Sequence, residues 1–328
     1  MRYSFVLPVY GTEKYLPRCL DSIFAQTERD FEVIVVDDCS PGNCAEVVAR
    51  YGDRVRYVRH DRNRGAFQAR VSGVRAATGD YIVPVDPDDY VMPELLARLD
   101  GMIGADDSDV VSYWMENDCG GRISPHWYRY AGETESADAF IHALAIQARN
   151  YSIVSKVIRR STYLEAADGL GTCPYVNTAE DFLATLLILL RSRRVAHLSF
   201  AGYRYFRNSE SITATRRTEQ SFRKACEQAS LAGNLVLAEA RRQGKDRQVV
   251  EDLEAVCRRL ECYFCEEVLN GPADCIVPFV RILGEIFPSG AILETLAQEC
   301  VTLGEARPRR LSDLLLGFFR KILRRRPH

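Results

Sequence analysis

Three carboxylates in four residues, Asp86-Pro87-Asp88-Asp89, follow directly on the apolar run Tyr81–Val85. Carboxylates this close repel one another and hold their protons more tightly unless a cation lies among them. Hard oxygen donors at the end of a strand suit Mg2+ or Mn2+, which bridge protein carboxylates and a substrate diphosphate. A second acidic pair, Asp37-Asp38, ends another apolar run, and Pro8-Val9-Tyr10-Gly11 closes a third. Further on, Glu180-Asp181 opens a markedly apolar segment. A carboxylate at such a place is partly desolvated yet in the favourable field of a helix N-terminus, which suits a general base. The plainer alternatives are a solvated acidic turn for the first group and a helix cap for the last.

Such groups need a frame that gathers them. Tyr3–Val9, Phe31–Asp37, Val55–Arg59 and Tyr81–Val85 are short, β-branched and aromatic-rich, which predicts buried strands. Between them Leu16, Leu20, Ile23 and Phe24 recur at helical spacing, as do Phe67, Val71 and Val74. A fifth strand is expected over Asp109–Met115, after a helix at Pro93–Ile103. This alternation predicts an α/β fold, a Rossmann-like and mostly parallel sheet flanked by helices. Ligands of such sheets bind beyond the carboxyl ends of the strands, where the acids stand.

From Glu116 to Asn208 the pattern loosens. We expect a polar, aromatic loop over 116–136, a helix, a strand over Ser152–Arg159, a loop over Ala167–Thr178, the apolar helix from Ala179 and a strand over Gly202–Phe206. Beyond Thr218 only helical patterns remain, over Gln220–Arg242, Val249–Leu269, Cys275–Ile286 and Ile292–Leu303, separated by Gly, Pro and Asn. The expected domains are thus residues 1–210, divided into 1–115 and 116–210, and a helical region over 218–328.

The 328 residues leave room for two domains. With 43 basic against 45 acidic side chains and a net charge of −2, no nucleic-acid partner is expected. There is no G-x-G-x-x-G after a strand and no G-x-x-x-x-G-K-[ST], which disfavours a dinucleotide dehydrogenase or a P-loop NTPase. The longest nearly apolar run, Phe182–Leu190, is too short to span a bilayer, and Met1–Val9 lacks the marks of a signal peptide. Eleven cysteines, an odd count at irregular spacing, fit reduced thiols in a cytosolic protein. Cys257, Cys262, Cys265 and Cys275 approach an iron–sulfur spacing, but they fall in an amphipathic helical stretch where buried structural thiols are expected.

Six ordered motifs carry a resemblance over residues 1–210. They are VLPVYG-x-E-K-Y-L-x-x-C-L-x-S-I-x-x-Q-T, FEVIVVDDCS, Asn63-Arg64-Gly65 with Ala69-Arg70, GDYIVPVDPDD, TAEDF and YRYFRNSESIT. Together they resemble the family-2 glycosyltransferases, inverting enzymes with the GT-A fold. That resemblance implies that Asp38 hydrogen-bonds the nucleotide base, with Pro8 and Tyr10 lining the pocket, Asn63 in the adjoining segment and Arg70 helping to hold the base. Asp86 would lie at the ribose and sugar, and Asp88 would ligate Mg2+ or Mn2+, with Asp89. Asp181 would be the general base, Arg207 and Ser211 would meet the diphosphate, and Lys156 and Glu180 are acceptor-side candidates. Some relatives carry a metal-ligating His where this chain has Asn208, so a third protein ligand is not expected. None of the five histidines forms a spaced pair, and each is expected to be structural or solvated. Trp114, Trp127, Tyr128 and Tyr130 could form a stacking wall for an acceptor sugar.

The expected function is therefore metal-dependent transfer of a sugar from a nucleoside-diphosphate sugar, UDP-linked before dTDP- or GDP-linked, to a hydroxyl of a saccharide or lipid-linked acceptor, in cell-surface polysaccharide synthesis. A nucleotidyltransferase of similar fold is the nearest rival, though it would present a Gly-rich basic loop where VYGTEKYL stands. A non-catalytic scaffold of the same ancestry is the other. The C-terminal stripe of Leu311, Leu314, Leu315, Phe318, Phe319, Ile322 and Leu323, opposite Arg320, Lys321 and Arg324–Arg326, resembles helices that lie on anionic membrane surfaces. The expected location is cytoplasmic, peripheral on the inner face of the membrane, and the helical end could also support a homodimer.

Overall fold

Seven consecutive buried residues make Tyr3–Val9 a strand covered on both faces, as the centre of a parallel sheet must be. It is the first element of a computed structural model that describes residues 2–103, 107–126, 134–147, 150–171, 175–207, 217–269 and 273–287. In chain order, β1 (Tyr3–Val9) leads to α1 (Leu16–Phe24), β2 (Phe31–Asp37), α2 (Cys44–Ala49), β3 (Val55–Arg59), α3 (Ala66–Ala76) and β4 (Tyr81–Pro84). Then follow β5 (Tyr90–Val91), α4 (Leu95–Ile103), β6 (Val110–Cys119), β7 (Arg122–Pro125), β8 (Glu135–Ser136) and α5 (Ala137–Gln147). A single 3-10 turn, Ile153–Ser155, precedes β9 (Lys156–Arg159), α6 (Arg160–Gly169), α7 (Glu180–Arg191) and β10 (Arg194–Phe206). Three helices follow, α8 (Glu219–Arg242), α9 (Arg247–Leu269) and α10 (Ala273–Ile286).

The strands join in the order β3-β2-β1-β4-β9-β6-β10-β5, with β7 on β6 and β8 on β10. The α/β fold expected from the alternating pattern is present. Its parallel pairing runs through β3-β2-β1-β4 and returns between β6 and β10. Between these stretches β9 inserts antiparallel to both β4 and β6, through Ile82↔Ile158 and Val111↔Val157. Helix α3 lies against β1 and β2, close enough that a Cβ on Gly73 would come 2.4 Å from Val6 Cγ1. Strand order reverses at β1, with β2 on one side and β4 on the other, so the chain segments leaving these three strands converge.

Residues 116–210 depart from their expected layout. The loop expected from Glu116 instead continues β6 to Cys119 and turns back as β7, with Glu116 ion-paired to Arg204 and Tyr90 Oη donating to Asp118. Each partner is distant in sequence, so the charges read locally as loop. Residues Arg160–Gly169 form a helix that was not expected and that runs into the start of the loop expected over Ala167–Thr178, and β10 begins at Arg194 rather than Gly202.

Two compact units emerge: Met1–Thr215 with Asn234–Leu253, and Arg216–Gly233 with the chain from Glu254 onward. The second has its own aromatic core, in which Phe222 stacks on Phe279 at 4.1 Å and meets Phe264 edge-on. Cys257 lies against Gly233 within it. Among the described residues no helix is long and apolar enough to cross a membrane. The expected helix at 292–303, the basic stripe from 311 and the aromatics Trp127, Tyr128 and Tyr130 lie outside the described residues.

Candidate active site

Four segments build the site: the ends of β1 and β2, the turn after β4, and the start of α7. At the end of β2, Asp38 is buried and both its carboxylate oxygens are engaged. Oδ1 accepts from the Arg64 amide at 2.9 Å and meets His60 Nδ1 at 2.6 Å, while Oδ2 accepts from the Gly65 amide at 2.8 Å. Asn63 Oδ1 also accepts from the Gly65 amide, and His60 Nε2 reaches Ser72 Oγ. Asp38 thus shapes the 61–65 loop directly. Gly65 takes φ +86°, and a side chain there would press on the Val176 carbonyl and the Tyr175 ring.

Above this loop two aromatic rings face outward, Tyr10 at 53% and Tyr175 at 42% exposure. Burial and the negative field of Asp38 and Tyr10 push the Tyr175 hydroxyl up. Pro8 is buried within β1, opposite Val36, and supports rather than lines this surface. Tyr175 was not singled out in the sequence because it stands in an irregular stretch, and only its nearness to Gly65 reveals it.

The Asp86–Asp89 turn is pinned from three sides. Tyr203 Oη of β10 accepts from the Asp86 amide at 3.1 Å and donates to Asp89 Oδ2 at 2.7 Å. The Asp89 Oδ1 atom accepts from the Phe206 amide at 2.8 Å. From α1, Arg18 donates to the Asp88 carbonyl while its guanidinium lies 3.8 Å from the Phe206 ring centroid. The expectation of Asp89 as a second metal ligand is revised accordingly: its carboxylate is buried, and both oxygens are already hydrogen-bonded within the fold. Burial, with Asp88 and Asp86 adding to it, holds Asp89 well above the usual carboxylate range. Among the described residues no group of three His, Cys, Asp or Glu is gathered to hold a metal ion. The turn nonetheless concentrates hard oxygen donors whose mutual repulsion a divalent cation would relieve, so its chemistry fits Mg2+ or Mn2+.

Arg70 is the hub. It is 3% exposed, donates to Asp86 Oδ1 at 2.7 Å, and approaches Asp181 Oδ1 at 3.4 Å and Glu180 Oε1 at 3.7 Å. The resemblance placed Arg70 at the nucleotide base; its guanidinium instead joins the acidic turn to the start of α7. The residue before that pair, Ala179, adopts a left-handed φ of +63°, an uncommon conformation for a residue with a side chain. Burial raises the Asp181 carboxyl, opposed by Arg70, by a 3.1 Å hydrogen bond from Ser152 Oγ and by Lys156. Burial and the adjacent Asp181 push Glu180 up to about 8. Lys156, expected as an acceptor-side candidate, is buried at 2% exposure. At the far rim the Arg207 guanidinium lies 5.4 Å from the Tyr205 ring centroid, while its amide donates to the Asp118 carbonyl. Ser211 and Asn208 lie outside the described residues.

An open α/β sheet with acids at the carboxyl ends of β2 and β4, facing a carboxylate pair on a helix N-terminus, puts its candidate site where ligands of such folds bind. Residues 4–164 match the family described as Glycosyl transferase family 2, in agreement with the resemblance carried by the motifs. The glycosyltransferase EpsJ of Bacillus subtilis, itself described as uncharacterized, is 30% identical over 217 residues, covering 64% of this chain and 62% of that protein. The poly(ribitol-phosphate) beta-N-acetylglucosaminyltransferase TarS of Staphylococcus aureus is 28% identical over 210 residues, 62% of this chain and 35% of that protein. The chain therefore spans less than two thirds of the length of these relatives. Among solved structures, S. aureus TarS 1-349 in complex with UDP-GlcNAc superposes with a TM-score of 0.70 at 19% identity, covering 94% of this chain and 93% of that one. The mannosyltransferase PcManGT of Pyrobaculum calidifontis, in complex with GDP-Man and Mn2+, gives 0.55 at 18% identity, covering 99% and 81%. These two likenesses establish the shared GT-A-like fold.

Proposed function

We propose that this chain is an inverting glycosyltransferase. It moves a sugar from a nucleoside-diphosphate sugar, a UDP-sugar foremost, to a hydroxyl of a saccharide or lipid-linked acceptor in cell-surface polysaccharide synthesis. The observation that carries this reading is the Arg70 bridge, which holds the Asp86 turn against the Glu180-Asp181 pair. It brings a diphosphate-sugar end and a proton acceptor within one side chain of each other. UDP-GlcNAc in TarS and GDP-Man in PcManGT support a nucleotide-sugar donor.

In this reading the faces of Tyr10 and Tyr175 take the nucleobase, and Asp38 holds the 61–65 loop beneath it. Asp86 lies at the ribose and sugar, and Arg207 meets the diphosphate. Asp88 would hold Mg2+ or Mn2+, which when bound neutralises charge on the leaving diphosphate. Asp89 and Tyr203 set the turn's shape. The acceptor oxygen attacks the anomeric carbon from the face opposite the leaving group. Its proton passes to Asp181, the C–O bond to the diphosphate breaks, and the nucleoside diphosphate departs with the bonding pair. Donor functions belong to residues 1–115 and acceptor functions to 116–210. The basic stripe from residue 311 supports docking on anionic lipid; equal pelleting of full-length chain and a 1–306 truncation with anionic vesicles would remove that role.

The reading is tested by UDP release from UDP-GlcNAc, with and without Mn2+. Asp181→Asn is expected to bind UDP normally and lose about 10²–10⁴-fold in turnover. Asp88→Ala is expected to abolish Mn2+-dependent UDP binding in calorimetry. Full turnover in the Asn variant, or binding unchanged in the Ala variant, would refute the respective role.

A further inference from the structure

A lysine enclosed in a protein needs a reason to be there. Lys156 opens β9 and is 2% exposed, yet among the described residues its ammonium makes no ion pair. Its three donors instead meet three neutral oxygens: the Ser152 carbonyl at 2.6 Å, the Asn150 carbonyl at 3.1 Å and Ser155 Oγ at 3.3 Å. Three acceptors match an ammonium, which has three N–H bonds; a neutral amine, with two, would leave one of the three oxygens without this donor. The two carbonyls bracket the turn that carries Ser152, and Ser152 Oγ donates to Asp181 Oδ2 at 3.1 Å. Ser155 Oγ closes the same turn by donating to the Ser152 carbonyl.

We propose that Lys156 is a positioning residue for Asp181: its ammonium clamps the Asn150–Ser152 turn so that the Ser152 hydroxyl holds the carboxylate, and its charge keeps that carboxylate ionised. This inference rests on the transferase reading for its purpose, but the coupling itself needs no substrate. Burial of the ammonium pulls Lys156 down to about 7, with Asp181 opposing. The charged groups facing Asp181 are Arg70 from α3, Glu180 on its own helix, Asp86 from the turn after β4 and Lys156 from β9. Opposite Lys156 on β6 is Ser112, which bonds His197 of β10.

Carbon-13 carboxyl NMR of the aspartate-labelled full chain tests this, with the Asp181 resonance identified by its loss in Asp181→Asn. Lys156→Met is expected to raise the Asp181 titration midpoint by about one pH unit, since a nearby cation favours the charged carboxylate. Ser152→Ala is expected to raise it by less, with Lys156 intact. The acidic limb of UDP release from UDP-GlcNAc should move with the midpoint in both variants. An unmoved midpoint in a folded Lys156→Met protein overturns the proposal. Should that variant not fold, an unmoved midpoint in Ser152→Ala overturns it equally. A wild-type chain that releases no UDP removes the transferase reading, while the titration still decides the coupling.

Discussion

Ala179 shows how a single backbone angle can set a site. With φ +63° and ψ 23° it turns the chain into α7, so that Glu180 and Asp181 face Arg70, and its carbonyl accepts the Leu183 amide. No side-chain hydrogen bond caps this turn. Cys39, just past Asp38, has the same φ. Both non-glycine residues with positive φ among those described therefore adjoin proposed site residues, as strain held for function would. Glycine at 179 should fold at least as well as alanine, the relief of strain offsetting its greater freedom when unfolded. Valine, branched at Cβ, should cost about 1–2 kcal/mol in urea unfolding and also reduce UDP release. Equal stability of the Gly and Val variants would show that the turn is not under strain.

At the scale of elements, α3 presents Arg70 to the site only because it can press onto β1 and β2 at Gly73. A methyl there would meet Val6 Cγ1 at 2.4 Å and Val36 Cγ2 at 3.1 Å, both on fully buried side chains. Gly73→Ala is accordingly expected to destabilise by about 1–3 kcal/mol, the usual cost of overpacking. It should also weaken turnover by lifting Arg70 away from Asp86 and Asp181; urea unfolding and UDP release measured on one preparation check both. This contact was not legible in the sequence, although the helix was, because Phe67, Val71 and Val74 repeat at 3.6-residue spacing whereas Gly73 matters only through what it faces. The same distinction runs through the chain. The strands β1 and β2 could be bounded from their apolar runs, since burial leaves few polar residues inside them, whereas β3, expected to be buried, is an edge strand in which only Val55 is buried. The extension of β6 past Glu116 could not, because its charges are satisfied by Arg204 and Tyr90. Likewise the acids of the site were visible at strand ends, but the guanidinium that joins them, and the Ser152 turn behind them, are products of tertiary contact.

Across the whole molecule, 43 basic and 45 acidic side chains nearly cancel, yet around Arg70 three carboxylates face one guanidinium. The free chain therefore carries unfavourable electrostatics at its site, of the kind that function retains against stability. Glu180 expresses it most directly, raised to about 8 by burial and by Asp181. A carboxyl raised on folding favours the folded chain when protonated. Its contribution is whole below the unfolded value of about 4.3 and is lost as pH rises through the folded value. Glu180→Gln keeps the shape and removes the charge, so it should behave like wild type near pH 4 and grow relatively more stable towards pH 9. The expected difference at pH 9 is a rise in Tm of about 3 °C or more, read by thermal denaturation across that range. A difference that does not vary with pH would mean that Arg70 already compensates Glu180 fully, and that only Asp86 and Asp181 hold the excess charge.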